Sequence, residues 1–514
     1  MYGKWLLIYL SLLSMHMSSQ GGFRSRTYLP GAISNSSKAV FEVSRGHYFA
    51  GGLELSSSGV SRLVVAGLDS IGKTVWHKQY GDDNLDFANS SLAFRTFLQV
   101  DSTFFYAGTI FAQGGSTTAG ILVKFDQKGD TMWSRKFFTD SVSHLVVQGM
   151  CVARDGGFWL TGLDEGTNIS RRTLLIKTDE GGHEQWRKLI SKPVPNLSDG
   201  RAILQDSATG SVIIAGYQDV GDSLSWQPYG QLLILDSIGN FLSRKTLEPG
   251  ILTDLVKTKD NSYVLIGIQN FSMPLQYPEH SSYMIKFKVK PAFTPVWSIY
   301  NYDGFHKISN YFTAVTCAPN GDLLVAGELT TIAVTQKTKN HQVRIVSVSQ
   351  TGKVKWRRLY DYSPDSTKNN ILRPLSINST ADGGCIVAIR VDNKGNNPLF
   401  YVKYDSLGCD STEIYCKTPK GPPIGTSIRD LYKNNHMTLS PCPAQDFLNI
   451  KLGEEVLSGT MVSILDVRGQ KVHSFVTQGE NSHRIDIRGW SGGLYFIRLQ
   501  SDGQPVRSEK FIKE

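Results

Sequence analysis

The chain has 514 residues with 54 Lys and Arg against 45 Asp and Glu, a formal net charge of +9, and is 40% hydrophobic and 19% charged. That is globular composition and excludes wholesale disorder, while 49 Gly and 19 Pro fit neither collagen nor a Pro-rich stalk. Six Cys over this length exclude a disulfide scaffold, and the absence of any run of five or six Lys/Arg argues against a nucleic-acid partner.

Lys4 supplies a positive start, Trp5 to Leu13 is a nine-residue apolar core, and Ser14 to Gly22 is small and polar. Residues 1–21 therefore read as a secretory signal peptide. The core is too short for a bilayer, which needs about 20 residues, and no other segment is long and apolar enough to expect a transmembrane segment in the mature chain. Export permits disulfides, and Cys409 with Cys416, closing a short loop, is the expected pair. Cys151, Cys317 and Cys385 lie in apolar runs and read as buried free thiols; Cys442, between two prolines, reads as exposed.

From residue 36 to 416 a repeat of about 55 residues organises the chain. Its first half is an apolar strand ending in Gly: Phe105-Tyr106-Ala107-Gly108, Phe158-Trp159-Leu160-Thr161-Gly162, Val212-Ile213-Ile214-Ala215-Gly216, Leu323-Leu324-Val325-Ala326-Gly327. The second half is a strand, an Asp-x-x-Gly turn and a strand carrying Trp: Asp69 through Gly72 to Trp76, Asp126 through Gly129 to Trp133, Asp179 through Gly182 to Trp186. Trp297 and Trp356 continue the series, with spacings of 57, 53, 111 and 59 residues, the 111 being two units with one Trp lost. A period near 55 fits four strands and four turns. One such sheet cannot bury both faces alone, so seven stacked radially predict an all-β, seven-bladed β-propeller. On this reading Trp76, Trp133, Trp186, Trp297 and Trp356 are structural wedges between blades, and each Asp of Asp-x-x-Gly caps its own turn.

The repeat resembles those of secreted bacterial propellers, in particular Asp155-Gly156-Gly157-Phe158 with Leu175-Ile176-Lys177-Thr178-Asp179, and Leu122-Val123-Lys124-Phe125-Asp126 with Trp133. The Gly-x-x-x-Trp step also resembles the tryptophan-docking step of quinoprotein-type propellers, although their Asp stands one residue further from the Gly. Neither resemblance implies one activity, since propellers host many.

Chemistry-bearing motifs are sparse. There is no H-E-x-x-H, C-x-x-C, phosphate loop or nucleophile elbow, and no cofactor is expected. Asp82, Asn84 and Asp86 have the spacing of a calcium loop, yet Phe87 and Ala93 stand where an EF-hand needs Gly and Glu, so a solvated turn is the simpler reading. His77, His183 and His306 show no ligand spacing. Asp254 and Asp260 are available as a carboxylate pair, which only three dimensions can bring together. The innermost strands read as plain: Val147-Gln148-Gly149, Leu255-Val256, Ala314-Val315-Thr316.

Residues 417–437 read as a linker (Pro419, Pro422, Pro423) and 438–514 as a small immunoglobulin-like β-sandwich with strand-type residues Val462, Ile464, Val467, Ile485, Ile487 and Leu494. Here 9 basic residues balance 9 acidic ones. Pro441, Pro443, Ala444 and Asp446, then Asp466 and Gly469, then Gly493, Tyr495 and Lys513, resemble the C-terminal sorting domain of type IX secretion, with Cys442 where Asn is usual. The resemblance implies passage through the periplasm to the outer-membrane surface or medium, with the type IX machinery as partner.

The sequence thus predicts a secreted or cell-surface propeller that binds, adheres or scaffolds without catalysis, on an extracellular glycan or protein ligand. The alternative is a polysaccharide- or peptide-cleaving hydrolase or lyase, which polar and acidic residues meeting from three or more blades would favour.

Overall fold

The computed structural model describes residues 22–514 apart from 82–84, 89–94, 112–117, 139–143, 166–170, 191–197, 220–227, 271–279, 290–292, 302–307, 334–337, 363–370, 393–396, 411–436, 453–460, 468–469, 478–481 and 502–503. The expected signal peptide lies outside the described residues. Every regular element described is a β-strand. The chain divides into two compact units, Met1–Thr418 and Pro419–Glu514.

In the first unit the antiparallel pairings among the described residues form seven sets, each of four strands except the second, where Asp86–Phe87 and Phe97–Val100 both pair with Thr103–Phe111. The first runs from Ala32–Ser44 to Thr74–Tyr80, the third from His144–Val152 to Glu184–Ile190, and the sixth from Ile308–Cys317 to Val354–Tyr360. The strand Phe241–Lys257 serves two sets, closing the fourth with one half and opening the fifth with the other. The seventh has three consecutive strands, Ile371–Ser379, Cys385–Asp392 and Leu399–Tyr404; its fourth is Phe23–Thr27, which pairs with Leu399–Tyr404. The propeller therefore extends ahead of residue 36, through a strand whose partner lies far along the chain.

Burial shows which strand faces where. The third strand of each set is buried on both faces, as in Leu174, Leu175 and Ile176, while the fourth alternates, as in Thr74–Tyr80, and forms the rim. Each apolar cluster joins two consecutive sets. Phe41, Phe49 and Leu63 pack with Phe104, Ile121 and Phe125; Leu160 and Leu174 pack with Phe105 and Leu122. Further clusters join the third to the fourth, and so on to the seventh. The last joins the seventh to the first, through Phe23, Ile386 and Tyr401 against Val40, Tyr48 and Val64. Sets that meet last to first make a closed ring, the arrangement of a β-propeller, and leave no sheet edge inside the stack.

The turn and the tryptophan act together. Asp126 Oδ1 accepts N–H bonds from Lys128 (2.9 Å) and Asp130 (2.8 Å), and Gly129 takes φ +76°. Asp69, Asp236 and Asp405 cap their turns the same way. The Gly then receives the indole of the preceding set: a Cβ on Gly129 would lie 2.6 Å from the Trp76 ring. Gly182 faces Trp133, Gly239 faces Trp186, Gly352 faces Trp297 and Gly408 faces Trp356. Phe23 takes the indole's place at the closure, over Gly72. Gly129→Ala is expected to lower stability by about 3 kcal/mol or more, adding a ring clash to the left-handed backbone penalty of about 1–2 kcal/mol. Gly59→Ala, at φ +84° with open space around it, should show the backbone penalty alone. Equal losses in chemical denaturation would refute the docking role.

A second repeated device was not read from the sequence. Lys177, Lys286 and Lys403 are buried in third strands and reach the carboxylates of Asp155 (2.8 Å), Asp260 (2.7 Å) and Asp382 (2.8 Å) in the neighbouring hairpin turns. Burial pushes the Asp260 carboxyl up, but the Lys286 ammonium and the Thr258 hydroxyl outweigh it and hold it down to about 2. Where the sixth set has Ser347 instead, Lys355 from the next strand pairs with Asp322.

The second unit is a β-sandwich. Thr438–Ser440, Phe447–Lys451 and Ser482–Asp486 make one sheet; Lys471–Val476, Met461–Asp466, Gly493–Ser501 and Gln504–Lys513 make the other. Leu448, Ile450 and Ile485 from the first sheet meet Val462, Ile464, Ile497 and Phe511 from the second. Val467 is not part of this core: it follows the strand's end and is 66% exposed.

Candidate functional site

The first strand of each set borders the axis of the ring, and nearly all of these strands share one irregularity. Their pairing skips one residue between Ser37 and Ala39, Val147 and Gly149, Gly200 and Ala202, Leu252 and Asp254, Phe312 and Ala314, and Pro374 and Ser376. The extra residues are Lys38, Gln148, Arg201, Thr253, Thr313 and Leu375. Arg95 takes this position in the second set, where it bridges to Gly149 and precedes Thr96, whose carbonyl accepts from Ala107 N–H. A β-bulge re-aims the side chain it carries, so seven bulge-level residues ring the axis.

They differ chemically. The Thr253 and Thr313 hydroxyls donate to the carbonyls of Phe312 (2.8 Å) and Ala326 (3.2 Å). Lys38 is buried, and burial first, then the nearby Arg390, brings its ammonium down to about 7 against the opposing pull of Asp392. Arg95 crosses from the second set to the fifth: its Nε and Nη2 donate to the two oxygens of Asp254, and Nη2 also to the Val315 carbonyl at 3.2 Å. Asp254 further accepts the N–H groups of Leu255 and Val315, each at 2.8 Å. Gln148 Nε2 and Arg201 Nε both donate to Asp199 Oδ2, at 3.2 and 3.3 Å. Burial raises the Asp199 carboxyl despite Arg201 and Gln148. Glu328, raised by burial, meets Arg373 at 3.1 Å and the Thr330 hydroxyl at 3.4 Å.

The innermost strands are therefore not plain. The segments that looked so either flank the bulge or, at Gln148, contain it; register, invisible in sequence, brings the polar side chains to one level. Asp254 and Asp260 are not a pair: Asp254 is held by Arg95, and Asp260 by Lys286 in a hairpin turn. Asp86 Oδ1 accepts the Ser61 N–H at 2.9 Å, and Asp82 and Asn84 lie outside the described residues. His183 is exposed beside Asp179, His77 is exposed, and His306 is outside the description. Cys409 is disulfide-bonded, while its expected partner Cys416 is not described; Cys151, Cys317, Cys385 and Cys442 are free.

In the second unit, residues near 444 and 513 that carry the sorting resemblance in the sequence meet. Ala444, fully buried, donates its N–H to the Ile512 carbonyl at 2.9 Å, and its carbonyl accepts the Glu514 N–H at 3.0 Å, beside a bridge to Lys513. Pro441 and Pro443 both follow cis peptide bonds. The Asp446 carbonyl accepts the Ile487 N–H, and Asp466 Oδ1 the Gln470 N–H. Gly493 takes φ +151°, and Tyr495 stacks on Phe511 and donates to the Ser491 carbonyl at 2.8 Å. Gly469 is outside the described residues.

No curated protein matches the chain. Among solved structures it is similar to a polysaccharide lyase described as an ulvan lyase, at 9% identity and TM-score 0.43 over 74% of this chain and 97% of that one. It is also similar to the extracellular domains 1–2 of Drosophila Semaphorin 1a, at 9% identity and TM-score 0.41 over 76% and 89%. No helix among the described residues is long and apolar enough to cross a membrane. Residues 438–514 match the model of the secretion system C-terminal sorting domain. By this match, and with a sandwich core of its own, this second unit is a type IX sorting domain, and the protein that carries it is exported to the cell surface or the extracellular space.

Proposed function

We propose that the first unit is a seven-bladed, non-catalytic recognition module that the sorting domain delivers outside the cell, led to the periplasm by residues 1–21 as a signal peptide, and that it takes its ligand at the ring of bulge-level residues. The observation that carries this reading is how the axial carboxylates are used. Asp254 receives a two-pronged guanidinium and two backbone N–H groups, and Glu328 is tied to Arg373. Carboxylates so committed act as struts. Glycoside hydrolysis commonly takes a pair of carboxyl groups, and of Asp254, Glu328 and Asp199 only Asp199 keeps an oxygen without a partner among the described residues.

The enzyme reading draws support from polar side chains of several sets meeting at one level, and it would rest on Asp199. The full-length protein, incubated with a library of glycans and peptides, should retain members whose masses do not change. A changed mass that Asp199→Asn abolishes would replace recognition with catalysis.

A further inference from the structure

Three hydrogen-bonding atoms in one corner of the bulge ring have no partner among the described residues: Gln148 Oε1, Asp199 Oδ1 and Arg201 Nη1. Their residues are 4%, 2% and 4% exposed. Buried polar atoms are nearly always satisfied, so three orphans that share a cluster call for a group from outside the chain. The backbone makes room for them. A side chain on Gly149 would strike the Arg201 carbonyl, and one on Gly200 would strike the Thr161 hydroxyl. Glycine at both positions lets the innermost strands of the third and fourth sets approach until Gln148 reaches Asp199. Beneath the corner, the Arg201 guanidinium lies 5.2 Å from the centre of the Tyr217 ring.

The charges narrow the chemistry. One carboxylate and one guanidinium in contact, with the nearby Arg171 answered by Glu165 at 2.6 Å, leave the corner near neutrality. A simple anion would face Asp199 and a simple cation would face Arg201, each at a cost. Two open acceptors and one open donor are matched by a neutral group that both gives and accepts. A hydroxyl donates one hydrogen bond and accepts two, and two adjacent hydroxyls satisfy all three atoms. We propose that Gln148, Asp199 and Arg201 form a subsite for the adjacent hydroxyls of a neutral sugar residue. The inference rests on the recognition reading above and gives it a ligand class.

Saturation-transfer NMR on the full-length protein tests it, with the methyl glycosides of glucose, galactose, mannose and fucose, and with methyl glucuronide and glucosamine as charged comparators. At least one neutral glycoside should bind, and Gln148→Leu and Asp199→Asn should each weaken it about tenfold or more, since each leaves a hydroxyl or a buried donor unpaired. Both replacements are close in volume to the originals; Asp199→Asn also strips the counter-charge from the buried Arg201, so Gln148→Leu with an unchanged unfolding midpoint is the variant that separates lost binding from lost fold. Binding of only the charged sugars overturns the neutral-sugar assignment. Neutral binding that both variants keep overturns the corner but leaves recognition by the propeller standing. If no sugar binds, the sugar assignment falls; if nothing is retained from the library either, the recognition reading falls with it.

Discussion

Cells producing the chain without residues 438–514 should hold it in the periplasm, with the extracellular fraction falling to background. The two units have separate cores, with Leu448, Ile464 and Phe511 in one and the interset clusters in the other. The truncated propeller should therefore still fold, and protease resistance of the periplasmic material would show it. Immunoblots of the periplasm, the outer membrane and the medium, set against the intact protein, measure the outcome. Truncated protein appearing outside the cell at the level of the intact chain would mean that the domain is not the export signal. A smaller change probes the motif: Ala444→Arg forces a long charged side chain into a fully buried site beside Lys513, and it should reduce export with the propeller unaffected.

The second large effect concerns ring closure. Phe23 is 5% exposed, packs edge-on to Tyr48 at 5.3 Å and covers Gly72. Arg24 makes a two-pronged bond to Asp410, at 2.6 and 3.1 Å, and Asp410 also accepts the Tyr362 hydroxyl at 2.8 Å. Phe23→Ala should cost about 3–5 kcal/mol, the usual range for a buried aromatic. Arg24→Ala strips the counter-charge from a buried carboxylate and should cost about 3 kcal/mol. Domains are commonly stable by about 5–15 kcal/mol, so the double replacement should leave a ring that opens near room temperature. Tryptophan fluorescence during urea unfolding reports it directly, because Trp76 stands in the first set and the Trp356 indole packs on Gly408 of the seventh, the two sets that meet at the seam. A double variant with an unshifted midpoint would show that the ring does not depend on this strand.

The sequence exposed those features whose physical cause is local. The Asp-x-x-Gly turn needs a carboxylate and a positive-φ residue within four positions, and its Trp follows at once, so Asp126, Gly129 and Trp133 could be read together. Strand type and the two-unit division followed from apolar runs between such turns. Phe23 could not be read: its partner strand is at residues 399–404, and Phe-Arg-Ser-Arg-Thr lacks both turn and Trp. Lys177 was visible as part of a repeat, but its role depends on Asp155 in a different hairpin. The candidate site was hidden for another reason. Lys38, Arg95 and Arg201 look like ordinary surface cations, and Gln148 sat within a run that appeared plain. Only the skipped register places them at one level, and no residue type announces a skip.

The shared bulge also bears on how such a protein can change. Seven positions at one level, six of them at a register skip, carry Lys, Arg, Gln, Arg, Thr, Thr and Leu, while the tryptophans, turn glycines and most of the strand apolar residues that hold the ring lie elsewhere. A substitution at a bulge alters what the axis presents and leaves most of the interset contacts as they were. Ligand preference and architectural integrity are thereby assigned to largely separate residues, so selection can act on the first while drawing little on the second.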